Sequence, residues 1–309
     1  MVAGTIHPAT HIGTVALTVT NLERSLAFYQ SLIGLRLHQR TAQTAHLGIG
    51  GPDLLILHEQ PAYRRYRGVC GLYHVAILVP NRYELARALA RLFRARYPNA
   101  PTDHIMTKAT YLDDPDGNGI EIYCESPEDG IFVMNDDIFF ARRADGSLSN
   151  GREPLDVAAL LRLLSPTDDL DAPMAATTSI GHIHLHVADI DVAVDFYHRL
   201  IGFDIQGVMR RFQMAMVSTG GYHHHIGLNT WQGEVVPSAP PDALGLQWFS
   251  IVVPDQSTLA PILDRLRDAG ITEEAHPAGR LLHDPFYNRI VLTTREQFLA
   301  SASHSSNLT

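Results

Sequence analysis

Histidine is the residue type in this sequence with the greatest capacity for chemistry. The chain of 309 residues contains 17 histidines, and three of them are consecutive at His223, His224 and His225. Imidazole binds transition metals and exchanges protons near neutral pH, so these residues can build a metal centre or an acid–base site. Because chance pairs are expected among so many histidines, the position of each within the predicted elements must separate functional from structural ones.

A fourfold repeat supplies those elements. Each unit opens with a β-rich strand that ends in Asn or Asp, continues as an amphipathic helix, and closes with about three shorter strands. The first and third helices share Phe-Tyr and then Leu-Ile-Gly in register, which places Gly34 and Gly202 where a helix end needs a left-handed residue. The pattern predicts an α+β fold of four βαβββ modules.

Superposition of the four modules brings candidate metal ligands to two equivalent positions. The opening-strand position holds Thr14, His74, His182 and Trp248, and the late-strand position holds Ile56, Glu121, Ile226 and Val291. Two imidazoles and one carboxylate, here His74, His182 and Glu121, form the set that holds non-haem Fe(II) with open coordination positions. Modules 2 and 3 must therefore share one cavity, whereas the cavity of modules 1 and 4 is expected to hold no metal.

The repeat and its motifs resemble the vicinal oxygen chelate superfamily, which includes glyoxalase I, type I extradiol dioxygenases and bleomycin-resistance proteins. The motifs are "FYQSLIGL", "YLDDPDGNGIEIY" and "YHHHIGLNTW", and the likeness covers nearly the whole chain. It is most similar to the two-domain catechol 2,3-dioxygenases of the Bacillus type. The resemblance implies two curved-sheet, half-barrel domains, with modules 2 and 3 paired around one metal site.

The resemblance also implies a reaction, the cleavage of a catechol-like aromatic diol next to its hydroxyls by dioxygen. Extradiol dioxygenases take two histidines from opening strands and one glutamate from a late strand, which corresponds here to His74, His182 and Glu121. Fe(II) is the expected cofactor, and Mn(II) accepts the same ligands. The expected partners are the diol and dioxygen, and a homo-oligomer is a further expectation, since two-domain relatives often assemble.

The triple histidine is expected to lie beside the metal. Side chains alternate along a strand, so an inward Ile226 places His224 on the cavity side, while His223 and His225 point away. The resemblance gives His224 the role of acid–base residue, with His225 in its place if the register shifts. His184, two residues after His182, shares its face and is expected near the same cavity.

Two further cavity residues come from the resemblance. Tyr111, ten residues before Glu121, corresponds to an active-site tyrosine that donates a hydrogen bond to substrate, and His104 corresponds to a histidine that precedes it. In contrast, the turn around Asp114, with its Asp, Pro, Gly and Asn residues, is interpreted as a device that positions Glu121.

Two other functions stay open from the residues alone. A glyoxalase-type isomerase or lyase with Zn or Ni would use a fourth protein ligand, but the late position of module 3 holds Ile226, or Gly227 if the register slips by one. Neither residue binds metal. A metal-free protein that sequesters a small aromatic compound predicts that the three candidate ligands do not converge.

The composition of the sequence limits the classes of binding partner and the cellular location that can be expected. The net charge is -9 and there is no basic run, which argues against nucleic acid and anionic membranes. No apolar segment is long enough to span a bilayer, and the first residues do not form a signal peptide. Cys70 and Cys124 are the two cysteines, a usage typical of a reducing compartment, so the cytoplasm is the expected location.

The repeat also predicts the organisation of the chain. Residues 1–130 are expected to form an N-terminal domain of two modules, and residues 180–295 a C-terminal domain of two more. Between them, residues 131–179 are predicted to be a linker with an edge strand and one short helix near residues 155–164. Residues 296–309 are predicted to be a tail, of which residues 301–309 are expected to be disordered.

Overall fold

The computed structural model describes residues 4–135 and 138–303, in which the four predicted modules appear in order. Module 1 consists of β1 (His11–Val19), α1 (Leu22–Ala27) continued by a π-helical turn (Phe28–Ile33), β2 (Arg36–Arg40), β3 (Thr44–Gly48) and β4 (Asp53–Glu59). Module 2 consists of β5 (Gly71–Leu78), α2 (Arg82–Arg94), β6 (Ala100–Asp103), β7 (Thr107–Asp113) and β8 (Gly119–Glu125).

The insert and the second half of the chain follow. The insert contains β9 (Gly130–Asn135), β10 (Ile138–Arg143), β11 (Leu148–Ser149), β12 (Glu153–Pro154) and α3 (Val157–Leu161). Module 3 consists of β13 (Ser179–His186), α4 (Ile190–Asp195) with a π-helical turn (Phe196–Ile201), β14 (Asp204–Met209), a 3-10 turn (Arg210–Phe212), β15 (Met214–Ser218) and β16 (Ile226–Asn229). Module 4 consists of β17 (Gly245–Val253), α5 (Gln256–Asp268), β18 (Glu274–His276), β19 (Gly279–His283) and β20 (Arg289–Thr294), and α6 (Arg295–Ser303) follows it.

Two large sheets combine the modules in pairs. One sheet of eight strands has the order β18-β19-β20-β17-β1-β4-β3-β2, which joins module 4 to module 1. The other has nine strands in the order β12-β6-β7-β8-β5-β13-β16-β15-β14, which joins module 2 to module 3. In each sheet the two opening strands meet in antiparallel register. The predicted fold and the predicted pairing of modules 2 and 3 are confirmed.

The ends of the helices follow from their sequence. The Asn or Asp that ends each opening strand caps the next helix, and its side chain accepts a hydrogen bond from the backbone N–H three residues on; these caps are Asn21, Asn81, Asp189 and Asp255. Loss of such a cap costs about 1 kcal/mol. Gly34 and Gly202 end the two π-helical turns with φ of 94° and 109°, as predicted for a left-handed position.

The Phe-Tyr repeat has a structural purpose that ties each sequence half together. Tyr29 of module 1 donates a hydrogen bond to Asp114 of module 2 at 3.0 Å, and Tyr197 of module 3 donates to Asp284 of module 4 at 3.0 Å. The same Asp114 carboxylate accepts the backbone N–H groups of Asp116 and Asn118, each at 2.8 Å. The interpretation of this turn as structural is supported by these contacts, and the turn leads directly into β8.

These buried hydroxyls allow a test of stability. Tyr29→Phe and Tyr197→Phe are each expected to lower the free energy of unfolding by about 1–3 kcal/mol, because each leaves a buried carboxylate with one donor fewer. Urea unfolding followed by circular dichroism measures the change. Tyr287→Phe, at a side chain that is 72% exposed, is the control and is expected to change stability by less than about 0.5 kcal/mol. Equal losses in all three variants would contradict the assignment.

The insert is more ordered than a linker. Its strands β9, β10 and β11 form a three-stranded antiparallel sheet, and β12 pairs with β6 at the edge of the nine-stranded sheet. The predicted edge strand is therefore present with three unpredicted strands, and α3 lies within the predicted residues 155–164. Helix α6 occupies the start of the predicted tail, whose residues 304–309 lie outside the described part. The predicted domain boundaries at 130, 180 and 295 stay a prediction.

Within the described residues, no helix is both long and apolar enough to cross a membrane. The residues that fill the interior are contributed by all four modules, chiefly aliphatic side chains of the strands and of the inner helix faces.

Candidate metal centre

The nine-stranded sheet brings the three candidate ligands together. His74 on β5 and Glu121 on β8 lie on neighbouring parallel strands, in which Ala76, two residues after His74, pairs with Glu121. His182 on β13 lies across the antiparallel pairing of β13 with β5. The strands are adjacent, and side chains alternate between the two faces of a strand. All three side chains therefore point to the same face of the curved sheet. All three are buried.

The three donor atoms form a nearly equilateral triangle. The Nε2 atom of His182 lies 3.0 Å from Oε2 of Glu121, and the Nε2 atom of His74 lies 3.2 Å from both. Two ligands bound at right angles to one ion, with bonds of about 2.2 Å, lie about 3.1 Å apart. The triangle therefore matches one face of an octahedron, and the donor set suits a divalent transition metal. Among the described residues, His74, Glu121 and His182 are the group of histidine, cysteine or acidic side chains that lies close enough together to hold a metal ion.

The electrostatics of the triangle favour the protonation states that bind metal. Burial lowers the pKa of His182 to about 4, although Glu121 opposes that shift. Burial alone would raise the pKa of Glu121, but the charge and hydrogen bonds of His182 and His74 outweigh it and hold that pKa well below its usual value. At neutral pH the site thus offers a neutral imidazole and a carboxylate, as metal ligation requires.

The late-strand position of module 3 is Gly227, so its prediction as Ile226 was wrong by one residue. His184 pairs with Gly227 across β13 and β16 in the same way that Ala76 pairs with Glu121. Ile226 instead packs in the hydrophobic core. The prediction slipped because β16 begins only at Ile226 and the three preceding histidines lie in an irregular, bent segment, in which the alternation of side chains does not hold.

Gly227 prevents a fourth ligand at this position. A Cβ atom added there would lie 2.8 Å from Cγ of His184, a distance that side chains do not adopt. The imidazole of His184 therefore fills the space that a fourth ligand would need. One side of the candidate metal centre stays open towards the cavity for small molecules.

His224 stands next to the candidate ligands, as expected. Its ring centroid lies 4.1 Å from that of His182, and it lines the cavity. Burial, followed by the neighbouring histidines, holds the pKa of His224 well below its ordinary value. The side chain is therefore neutral at physiological pH.

A hydrogen-bond chain fixes which nitrogen of His224 carries the proton. The Nε2 atom of His223 lies 3.0 Å from Oε1 of Glu125, and its Nδ1 atom lies 2.6 Å from Nδ1 of His224. Since a carboxylate only accepts, a neutral His223 carries its proton on Nε2 and accepts at Nδ1. His224 must then donate from Nδ1, which leaves its Nε2 with a free lone pair.

Glu125 connects this chain to solvent. Its side chain is 32% exposed, and the same Oε1 also accepts a hydrogen bond from Tyr222 at 2.8 Å. Glu125 and His223 were not predicted as site residues, and His223 was predicted to point away from the cavity that it lines. Glu125 could have been found, because it lies four residues after Glu121 on one strand and so shares its face.

His225 does not reach the cavity. Its Nδ1 atom lies 2.8 Å from Oγ of Ser218, and its ring stacks on Phe203. Burial lowers the pKa of His225 to about 3, consistent with a neutral core residue. The alternative placement of the acid–base role at His225 is therefore wrong.

His104 and Tyr111 form a second hydrogen-bonded pair on the opposite wall. Nδ1 of His104 donates to the carbonyl oxygen of Gly151 at 2.6 Å, so Nε2 is the acceptor of a neutral ring and accepts a hydrogen bond from the hydroxyl of Tyr111 at 2.9 Å. Burial and the charge of Glu121 raise the pKa of Tyr111 well above its usual value. Tyr111 thus keeps its proton for acceptors of the protein, His104 and the Glu121 carboxylate, and leaves an oxygen lone pair for a ligand.

The cavity above the triangle has a volume of about 380 Å³. An apolar wall, defined as Phe132 and Phe139 of the insert with Phe212, Met214 and Met216 of module 3, covers one side of it. Tyr73, Asn150 and Arg152 also line the cavity, and Gly151 between the last two adjoins the rings of Phe132 and Phe139. Aromatic and thioether side chains form a flat, adaptable surface for a planar ring. The insert thus closes the site, which the prediction of a linker missed.

The equivalent position of the other sheet is filled by apolar side chains. Trp248 and Val291 pack with Ala16 and Leu281 in a separate cluster, and Thr14 donates to the carbonyl oxygen of Asp53. Trp248 therefore cannot line the cavity of modules 2 and 3.

Comparison with known proteins agrees with this architecture. The sequence model of the glyoxalase/bleomycin resistance protein/dioxygenase superfamily matches residues 11–122 and 179–292. A catechol-2,3-dioxygenase of Bacillus subtilis (strain 168) is 40% identical over 283 residues, which cover 91% of this chain and 95% of that protein. 

Two solved structures share the fold at low identity. Glyoxalase I from Zea mays superposes with a TM-score of 0.55 at 15% identity, with 97% of each chain covered. The cppA protein of Streptococcus pneumoniae TIGR4 superposes with a TM-score of 0.51 at 14% identity, with 92% of this chain and 98% of the other covered. Repeat, sheet pairing and sequence match all agree, and the chain belongs to the glyoxalase/bleomycin resistance protein/dioxygenase superfamily.

Proposed function

We propose that the protein is an extradiol dioxygenase that opens the ring of a catechol-like diol next to its hydroxyls. The observation that carries the proposal is the convergence of His74, Glu121 and His182 on one point, with Gly227 in place of a fourth ligand. The 40% identity to a protein named catechol-2,3-dioxygenase supports it. Fe(II) is the proposed metal, and Mn(II) fits the same donor set.

A divalent metal held by these three residues would supply a Lewis acid and a meeting point for the diol oxygens and dioxygen. The protein supplies proton handling and orientation. The free Nε2 lone pair of His224 is positioned to accept a proton from a hydroxyl of the diol. His223 and Glu125 hold His224 in the tautomer that makes this possible.

Tyr111 has a different part in this proposal from the one expected. Because its proton has acceptors within the protein, His104 and Glu121, its oxygen accepts a hydrogen bond from the second hydroxyl of the diol instead of donating one. The apolar wall stacks against the ring and excludes water from it. Together these contacts orient the diol with its oxygens towards the metal.

Oxygen uptake is the experiment that tests the proposal. Protein loaded with Fe(II) under argon, then mixed with catechol and air, is expected to consume dioxygen and form a yellow ring-cleavage product. A panel of substituted catechols extends the assay. Loading with Zn(II) is the control and should give binding without oxygen uptake. Absence of oxygen consumption across the panel, in protein with stoichiometric iron, would refute the proposal and favour an isomerase or a binding protein.

A further inference from the structure

Arg152 places a positive charge on a cavity wall whose described residues offer it no partner. It is the one Arg or Lys side chain among the described residues that line the cavity. Its side chain has no hydrogen bond or ion pair in the described part of the chain. The carboxylate of the next residue, Glu153, is taken by Arg143 and by Ser149.

The loop that carries Arg152 is held against the cavity wall that His104 and Tyr111 form. The backbone N–H of Gly151 donates to Oγ of Ser149 at 3.0 Å, and that of Arg152 donates to Oδ1 of Asn150 at 2.8 Å. The carbonyl oxygen of Gly151 accepts from His104, which in turn bonds Tyr111. The backbone of Arg152 is therefore fixed beside the cavity, and its exposed side chain extends from there. Its charge reaches this wall, since it opposes the burial-driven rise in the pKa of Tyr73 and Tyr111.

Among the described residues that line the cavity, the charges do not balance without a further anion. Glu121 is the carboxylate that lines the cavity in the described residues, and it faces His74 and His182. With a divalent metal, Glu121 and a deprotonated diol would neutralise the metal itself. Arg152 would still be uncompensated. A guanidinium that lines a cavity is best matched by a carboxylate, which it binds through two parallel hydrogen bonds.

We propose that the substrate is a catechol whose ring carries an anionic substituent, a carboxylate on the ring or on a short side chain, and that Arg152 binds this group with Asn150 beside it. The proposal rests on the proposed function for the placement of the diol at the metal. The ring then lies against the apolar wall, with its two polar ends at the metal and at Arg152.

Binding without turnover tests this assignment. Isothermal titration calorimetry with Zn(II)-loaded protein under argon compares catechol, 4-methylcatechol, 3,4-dihydroxybenzoate and 3,4-dihydroxyphenylacetate. Arg152→Gln is expected to weaken at least one carboxylated catechol by about 10–100-fold, as loss of a charged hydrogen-bonded pair predicts. Catechol and 4-methylcatechol should change by less than about twofold. Arg152→Lys should restore part of the loss.

The control is Arg142→Gln, which removes the same charge from the exposed face of β10, outside the cavity lining. It should leave all four affinities unchanged. Equal affinities of Arg152→Gln and the natural protein for both carboxylated compounds would overturn the inference, as would an equal loss for charged and uncharged catechols.

The two proposals fail separately. Tight, Arg152-dependent binding of a carboxylated catechol with no oxygen uptake by the Fe(II) protein would leave the anion site in place and refute the dioxygenase. Oxygen uptake with catechol that is indifferent to a carboxylate and to Arg152 would do the reverse. Failure of the metal-loaded natural protein to bind any of the four would refute both.

Discussion

Removal of any one of His74, Glu121 and His182 is expected to weaken metal binding by more than about 100-fold. Outer partners of a ligand alone account for 10–100-fold in affinity, and these residues would supply the bonds themselves. The donor atoms of the triangle lie 3.0–3.2 Å apart, and Gly227 offers no side-chain donor at the fourth position that could replace a lost one. His74→Ala, His182→Ala and Glu121→Ala should therefore all lose stoichiometric iron.

Two measurements check this expectation. Metal content after loading and gel filtration gives the stoichiometry directly. Thermal unfolding gives an independent signal, because a metal at 100 times its dissociation constant stabilises the folded state by about 2.7 kcal/mol. The natural protein should gain this stabilisation with metal and lose it with a chelator, whereas the three variants should gain none.

His283→Ala is the matched control. It removes a histidine that is exposed on β19 of the other sheet, and it should keep both the metal and the thermal gain. One mole of iron retained per mole of any triangle variant would show that the ligand set is wrong.

Substitution of His224 is expected to have the second large effect, a loss of turnover in protein that still binds its metal. His224→Ala should lower kcat/KM by about 100–10,000-fold, the range for loss of a general base. Metal content should stay stoichiometric, because His224 is not part of the triangle. Loss of iron together with activity would instead make His224 a ligand.

Glu125 allows the tautomer argument to be tested apart from His224. Glu125→Leu removes the acceptor of His223, so that His223 is free to place its proton on Nδ1 and His224 loses the lone pair that faces the cavity. We expect a fall in kcat of about 10–100-fold. Glu125→Gln keeps an oxygen that accepts from both His223 and Tyr222, and it should restore most of the rate.

Tyr222→Phe serves as the control for the hydrogen-bond chain of Glu125, His223 and His224. It removes the other donor to Glu125 and leaves the bond to His223 in place. It should have a smaller effect than Glu125→Leu. Equal rates for Glu125→Leu and the natural protein would show that this chain does not set the state of His224.

Sequence reasoning located the candidate ligands because they lie on regular strands. The opening strands begin alike, and their positions could be superposed by counting from the Asn or Asp caps. The same counting failed at His223–His225, since those residues precede β16 in an irregular, bent segment that changes which way each side chain points. Burial and hydrogen bonds, such as that of His225 with Ser218, decide direction there.

The residues that cover the cavity could not be predicted from the fourfold repeat. Residues 131–154 belong to no module, so no second copy existed with which to compare them. Only the folded structure shows that Arg152 and the phenylalanines of β9 and β10 line the cavity. Glu125 was different, because its position on the face of Glu121 was available from the alternation of β8 and was not used.

The pairing of module 2 with module 3 has a consequence for biosynthesis. His74 and Glu121 leave the ribosome first, and His182 follows 61 residues after Glu121. The triangle therefore cannot close on a metal until the first strand of the second half has docked on β5. A nascent chain that carries only the first half would offer two of the proposed ligands and would bind metal weakly. Metal uptake at the proposed centre would thus be a late event, and it would report that the two halves of the chain have docked.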